Sequence, residues 1–193
     1  MKNQVMKKSY KKSTAIFFLA IIGIFGLLFA GKPVLASEIS QENILYLINK
    51  ERIYYGLNPL RIDDDLNKAS HWKSNDMIFR NYFEHYAYGL SPWDLFVNAG
   101  YEYSVAGENL AMDFETSEGI VDTWMQSPAH RQNLLNPKFE DLGIGIAEGS
   151  FLEGGKERYT KIVSGLIGHR KPKMVSSLSG IISTLASVFS WNK

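Results

Sequence analysis

The sequence predicts an α+β fold in which helices come first and an antiparallel hairpin or small sheet follows. Three observations predict it. Apolar residues recur at helical spacing in several segments between Gln41 and Met125. At Leu142, Ile144 and Ile146 the period changes to alternation with glycine. Gly154-Gly155 then marks a turn, and Tyr159 to Leu166 reads as the partner strand.

The elements follow in order. Ile44, Leu47, Ile48 and Tyr55 share one stripe, and Gly56, Asn58 and Pro59 end it, so a first helix runs roughly from Gln41 to Tyr55. Asp63 to Asp65 set carboxylates where a helix start favours negative charge, and Leu66, Ala69, Ser70, Lys73 and Met77 continue along one face through Phe79. Ser91-Pro92-Trp93-Asp94 combines a capping serine, a proline at the first helical position and an acid at the third, and Gly100 closes this short third helix. Thr116 or Ser117 caps a fourth helix with Ile120, Val121, Trp124 and Met125 on its apolar face, and Pro128 interrupts it.

Two flanking segments stand apart from this domain, which spans residues 41–168. Residues 1–36 combine a lysine-rich head, an uncharged stretch from Ser13 to Gly31, and Val34-Leu35-Ala36 before Ser37. That pattern reads as a signal peptide cleaved after Ala36, or as an uncleaved N-terminal membrane anchor. Both readings export everything after residue 37, so the expected location is extracellular, with membrane or cell-surface association left open. In the tail, residues 169–193, a basic cluster of Arg170, Lys171 and Lys173 precedes Met174, Leu178, Ile181, Leu185 and Val188 at helical spacing, opposite a run of serines. Three readings stand: a helix that seeks a membrane interface, a helix docked on the domain, or a frayed terminus.

Composition narrows the function. Of the 193 residues 45% are hydrophobic and 21% charged, which excludes a mainly disordered chain, and zero cysteines exclude a disulfide scaffold, a thiol nucleophile and a thiolate metal site. Six of the 21 basic residues precede residue 37; the remaining 15 face 20 acids, a net −5, which argues against nucleic acid as a partner. There is no G-x-S-x-G, H-E-x-x-H or Walker A motif. Histidine and carboxylate chemistry remains. His71 and His169 sit where solvation or capping explains them. His85 and His130 fall in stretches read as loops, among aromatic, proline and asparagine residues.

The order of short motifs around those two histidines is informative. Asn81-Tyr82-Phe83-Glu84-His85, Ser91-Pro92-Trp93, Ala99-Gly100-Tyr101, Gly107-Glu108-Asn109-Leu110-Ala111, Trp124 through Asn133 and Gly143-Ile144-Gly145 together resemble the CAP superfamily (SCP, PR-1, antigen 5 and cysteine-rich secretory proteins), most closely its bacterial secreted branch. The similarity covers roughly Ile44 to Gly165. It implies a three-layer α-β-α sandwich with a small antiparallel sheet, and a cleft where His85, Glu108 and His130 converge as ligand-binding and candidate catalytic residues. Asn109, Ser127 and Asn133 are expected to support that cleft structurally. Animal and plant members carry a second glutamate where this chain has Ser127; Glu84, Glu115 and Asp122 replace it only if the fold aims them inward.

Two imidazoles and a carboxylate support three uses. His85 and His130 can hold a divalent metal such as zinc as a cofactor. Glu108 can orient a histidine that acts as an acid or base. The group can also be a purely structural polar network. The expected function is recognition of an extracellular or envelope ligand, whether lipid, glycan or peptide, with metal modulating it. The alternatives are a metal-assisted hydrolase of peptide or cell-wall material and a surface interaction scaffold without a working cleft. The tail and the N-terminal segment are the expected points of any membrane contact.

Overall fold

A computed structural model describes residues 37–172. The predicted leader, residues 1–36, and the tail from residue 173 onward lie outside the described residues.

Ser40 opens helix α1 (Gln41–Tyr54) by accepting the Asn43 N–H on its Oγ at 3.2 Å. Strand β1 (Arg61–Ile62) leads into helix α2 (Asp64–Arg80), where the Asp63 carboxylate accepts the Asp65 and Leu66 N–H groups. Helix α3 (Pro92–Asn98) has the reciprocal Ser91–Asp94 capping box that its sequence calls for. Strand β2 (Tyr103–Met112), helix α4 (Ser117–Gln126) with Thr116 as its cap, and helix α5 (Pro128–Leu134) follow. Strands β3 (Asp141–Glu153) and β4 (Lys156–Arg170) close the domain as a hairpin. Its two turn residues, Gly154 and Gly155, both have positive φ, as the turn that matches strand twist requires.

The sheet order is β1-β3-β4-β2, with β1 parallel to β3 and the other pairs antiparallel. Alternate residues of each strand serve opposite helical layers. On one face Leu142, Ile144, Val163 and Ile167 pack with α1, α4 and α5 through Ile44, Ile48, Ile120, Val121, Trp124 and Leu134. On the other, Leu166 meets Leu66 and Ala69 of α2 and Leu95 and Phe96 of α3, while Ile162 and Leu110 meet Met77. The result is the three-layer α-β-α sandwich. Gly143 and Gly145 let α2 lie against the sheet backbone to backbone, since a Cβ at either would overlap the carbonyls of Leu66 or Ser70.

The sequence reading differs from the structure in several places: it lacked β1, whose parallel pairing with β3 makes the sheet mixed instead of wholly antiparallel. Strand β2 shows in the sequence only as a motif: Gly107 to Ala111 are all buried because helices cover both sheet faces, which erases the alternating pattern of a half-buried strand. His130 is not in a loop, because the helix that Pro128 starts, α5, runs on through it to Leu134. His169 and Arg170 belong to β4, the backbone pairing of which runs past the predicted start of the tail.

Candidate functional site

The site begins with a lysine on the apolar stripe of α2. Lys73 is buried, and its ammonium donates to the carbonyls of Glu84 at 2.8 Å and His85 at 3.1 Å and to the Tyr82 hydroxyl at 3.4 Å. The Tyr82 hydroxyl in turn donates to Asp76 Oδ2 at 2.7 Å, and Asp76 pairs with Arg80 at 2.8 Å. The loop after α2 is thereby tied back onto the helix that precedes it. Burial lowers the Lys73 pKa from the ordinary lysine value, and the negative charges of Glu108, Asp76 and Glu84 oppose that shift. Burial and the bond to Asp76 raise that of the Tyr82 phenol, keeping it protonated.

From the sheet, β2 brings up Glu108. Its Oε2 lies 2.6 Å from His85 Nδ1; the carboxylate is buried while the imidazole is 46% exposed. A carboxylate only accepts, so His85 donates from Nδ1, and Nε2 is its remaining polar atom. The second oxygen, Glu108 Oε1, is buried without a hydrogen-bond partner.

Strand β2 is a sheet edge, and side chains of α4 and α5 satisfy part of it. The carbonyls of Glu108 and Leu110, two residues apart, accept from Asn133 Nδ2 at 3.1 Å and Trp124 Nε1 at 2.9 Å. Asn133 also donates to Asn109 Oδ1 at 2.8 Å, and Asn109 Nδ2 donates to the His130 carbonyl at 3.1 Å. These bonds hold the start of α5 against Glu108 and Asn109. His130 Nδ1 is buried without a partner. Burial, and after it the nearby positive charge of His85, lower the His130 pKa, so its ring stays neutral at neutral pH.

His85 and Glu108 are therefore in direct contact, and His130 lies near them, bonded to their surroundings only through its backbone. Ser127 precedes α5 but makes no side-chain capping bond. Glu84, Glu115 and Asp122 are exposed, so none takes the place of the second glutamate. Among the described residues no group of three or more His, Asp or Glu side chains is arranged to hold a metal ion. The donors thus do not fit a resident zinc with three protein ligands. Sequence reasoning placed Lys73 on the buried stripe without giving it a role. The signal was there, since a lysine among Leu66, Ala69, Ser70 and Met77 must find partners inside the protein.

Comparison with known proteins agrees with this architecture. Residues 45–159 match the model of the family described as CAP, cysteine-rich secretory protein family. The chain is similar to the uncharacterized protein YkwD of Bacillus subtilis (strain 168), 44% identical over 110 residues, which are 56% of this chain and 42% of that protein. It is also similar in structure to an extracellular protein containing an SCP domain from Bacillus anthracis str. Ames, with TM-score 0.57 and 27% identity, over 67% of this chain and 40% of that one. An outer surface protein from Borrelia burgdorferi shares the fold at TM-score 0.56 and 23% identity, over 71% of this chain and 100% of that one. The chain spans less than half the length of YkwD and of the Bacillus anthracis protein.

Proposed function

From the premise that this chain belongs to the CAP, or cysteine-rich secretory protein, family, we propose that it is an exported protein whose His85, Glu108 and His130 bind an envelope ligand. One observation carries the reading: a half-exposed imidazole is oriented by a buried carboxylate whose second oxygen lacks a partner. An unpartnered carboxylate oxygen accepts a hydrogen bond. The ligand is therefore one that presents hydroxyl or amide donors, the chemistry of cell-wall glycan and its peptide stems. The exposed rings of Tyr86 and Tyr88 on the same loop suit the apolar faces of sugars. The lysine-rich leader and the extracellular relative support export.

The test is cosedimentation of the full chain with purified peptidoglycan, against phospholipid vesicles as the alternative. Binding to peptidoglycan that falls at least tenfold in His85→Ala and in Glu108→Gln, with tryptophan fluorescence unchanged as a check of folding, supports the proposal. Undiminished binding by both folded variants overturns it. Zinc calorimetry on the wild type and on the double variant His85→Ala, His130→Ala reports whether two imidazoles and water suffice for metal to modulate binding. Soluble fragments released from the pellet by wild type and not by Glu108→Gln would move the reading to the hydrolase, with His85 as the base that Glu108 orients.

A further inference from the structure

The outer face of α2 carries an apolar surface unrelated to the histidines. A groove of about 500 Å³ between α2 and α3 is lined by Lys68, Ala69, Trp72, Leu90, Leu95 and Ala99, among others. A second, shallower depression shares Trp72 and runs on to Ile78 and Phe79. Trp72 is 44% exposed and Phe79 87% exposed. From Lys68 to Phe79 the strip is about 16 Å long at the helical rise. An apolar strip of this kind on a soluble face marks a place where something docks.

The described chain ends at the mouth of this groove. Arg170 donates to Asp63 Oδ2 at 2.7 Å, to Asp65 Oδ2 at 2.9 Å and to the Gly100 carbonyl at 3.2 Å, and its guanidinium lies 4.3 Å from the centre of the Tyr101 ring. The Lys171 N–H then donates to the Glu102 carbonyl at 2.8 Å. Asp65 is one turn of α2 before Lys68 and Ala69, and Gly100 directly follows Ala99. The exit of the chain is thus pinned within one helical turn of the groove lining.

Residues 173–193 follow that exit. Their apolar residues Met174, Leu178, Ile181, Leu185 and Val188 recur at helical spacing, and at the helical rise this stripe is about 21 Å long, enough to cover the strip from Lys68 to Phe79. We propose that the C-terminal segment, residues 173–193, docks by its apolar stripe into the groove between α2 and α3 of its own domain. An apolar stripe tethered at the mouth of an apolar groove meets it at high effective concentration, which favours this occupant over a separate partner. The serines on the opposite face of the stripe then meet water.

The chain contains no cysteine, so introduced pairs report without background. In the full chain, Ser177→Cys, at the edge of the apolar stripe, is combined with Asn98→Cys or Asn75→Cys beside the groove, or with Lys50→Cys on α1 in the opposite layer, and each pair is oxidised and mapped by mass spectrometry. A disulfide within one copy that forms at least tenfold more with a groove position than with Lys50→Cys, and is lost on adding Ile181→Asp, is the expected result. Equal yields at both faces, no groove crosslink, or a groove crosslink that survives Ile181→Asp overturns the proposal. So does a crosslink found only between two copies. If Ser177→Cys crosslinks to neither face and is shielded from alkylation only by anionic vesicles, the segment's apolar face belongs to a membrane and the proposal fails.

Discussion

Replacing Gly145 by alanine tests whether α2 rests on the sheet through backbone contact. A Cβ at residue 145 would lie under 3.0 Å from the Ser70 carbonyl carbon and oxygen and the His71 nitrogen, a separation that real Cβ atoms essentially never show. Those atoms are helix backbone, so no rotamer change relieves the overlap. Restoring an ordinary carbon contact requires α2 to lift by about 1 Å or more. That lift loosens the whole buried stripe of Leu66, Ala69, Ser70, Lys73, Ser74 and Met77. Ordinary overpacking costs about 1–3 kcal/mol, and partial exposure of Leu66 and Met77 adds to it, so a loss of about 3 kcal/mol or more is expected. For a domain of this size that corresponds to a drop of about 6–12 °C in Tm. The assay is urea denaturation followed by tryptophan fluorescence, with Gly154→Ala as the comparison. Gly154 faces open space at φ 57°, so its alanine carries only the backbone strain of about 1 kcal/mol. A loss below about 1 kcal/mol for Gly145→Ala would refute the backbone-contact account.

Other expectations follow from the same contacts. Lys73→Met removes the donor for the Glu84 and His85 carbonyls and the cation near Glu108, and should lower stability by about 2–4 kcal/mol in urea denaturation while weakening peptidoglycan binding. The buried Arg52 donates to the carbonyls of Asn58, Leu134, Asn136 and Phe139, so Arg52→Met should cost about 3–5 kcal/mol and loosen the C-terminal end of α5, measurable by hydrogen exchange of the amides around Leu134. Folding holds the His130 pKa below the ordinary 6.5, so the unfolded chain takes up the proton first. Stability should therefore fall as pH drops through 6.5 and on through the lower folded value, and His130→Gln should flatten that slope in urea midpoints measured between about pH 5 and 8. A ring titration by NMR with its midpoint at or above 6.5 would contradict it.

The sequence alone determined the elements whose signals are local. The stripe through Leu66, Ala69 and Met77, the Ser91–Asp94 box, the Thr116 cap and the Gly154-Gly155 turn each need only neighbouring residues to be read, and each stands in the structure. The ordered motifs around His85, Glu108 and His130 likewise identified the family and its layered fold. Only the tertiary structure decided the rest. Strand β2 carries no alternating pattern because both of its faces are covered. His130 faces its surroundings from a helix because Asn109 and Asn133 pin α5 to the sheet edge across more than twenty residues of chain. Lys73 became part of the site because a buried ammonium must be satisfied, and only the folded loop of Glu84 and His85 supplies the carbonyls. Hydrophobic period and capping act over a few residues and are written in order along the chain. The partners of a buried charge and the neighbours of an edge strand come from distant segments, and their choice is made only when the three layers close on one another.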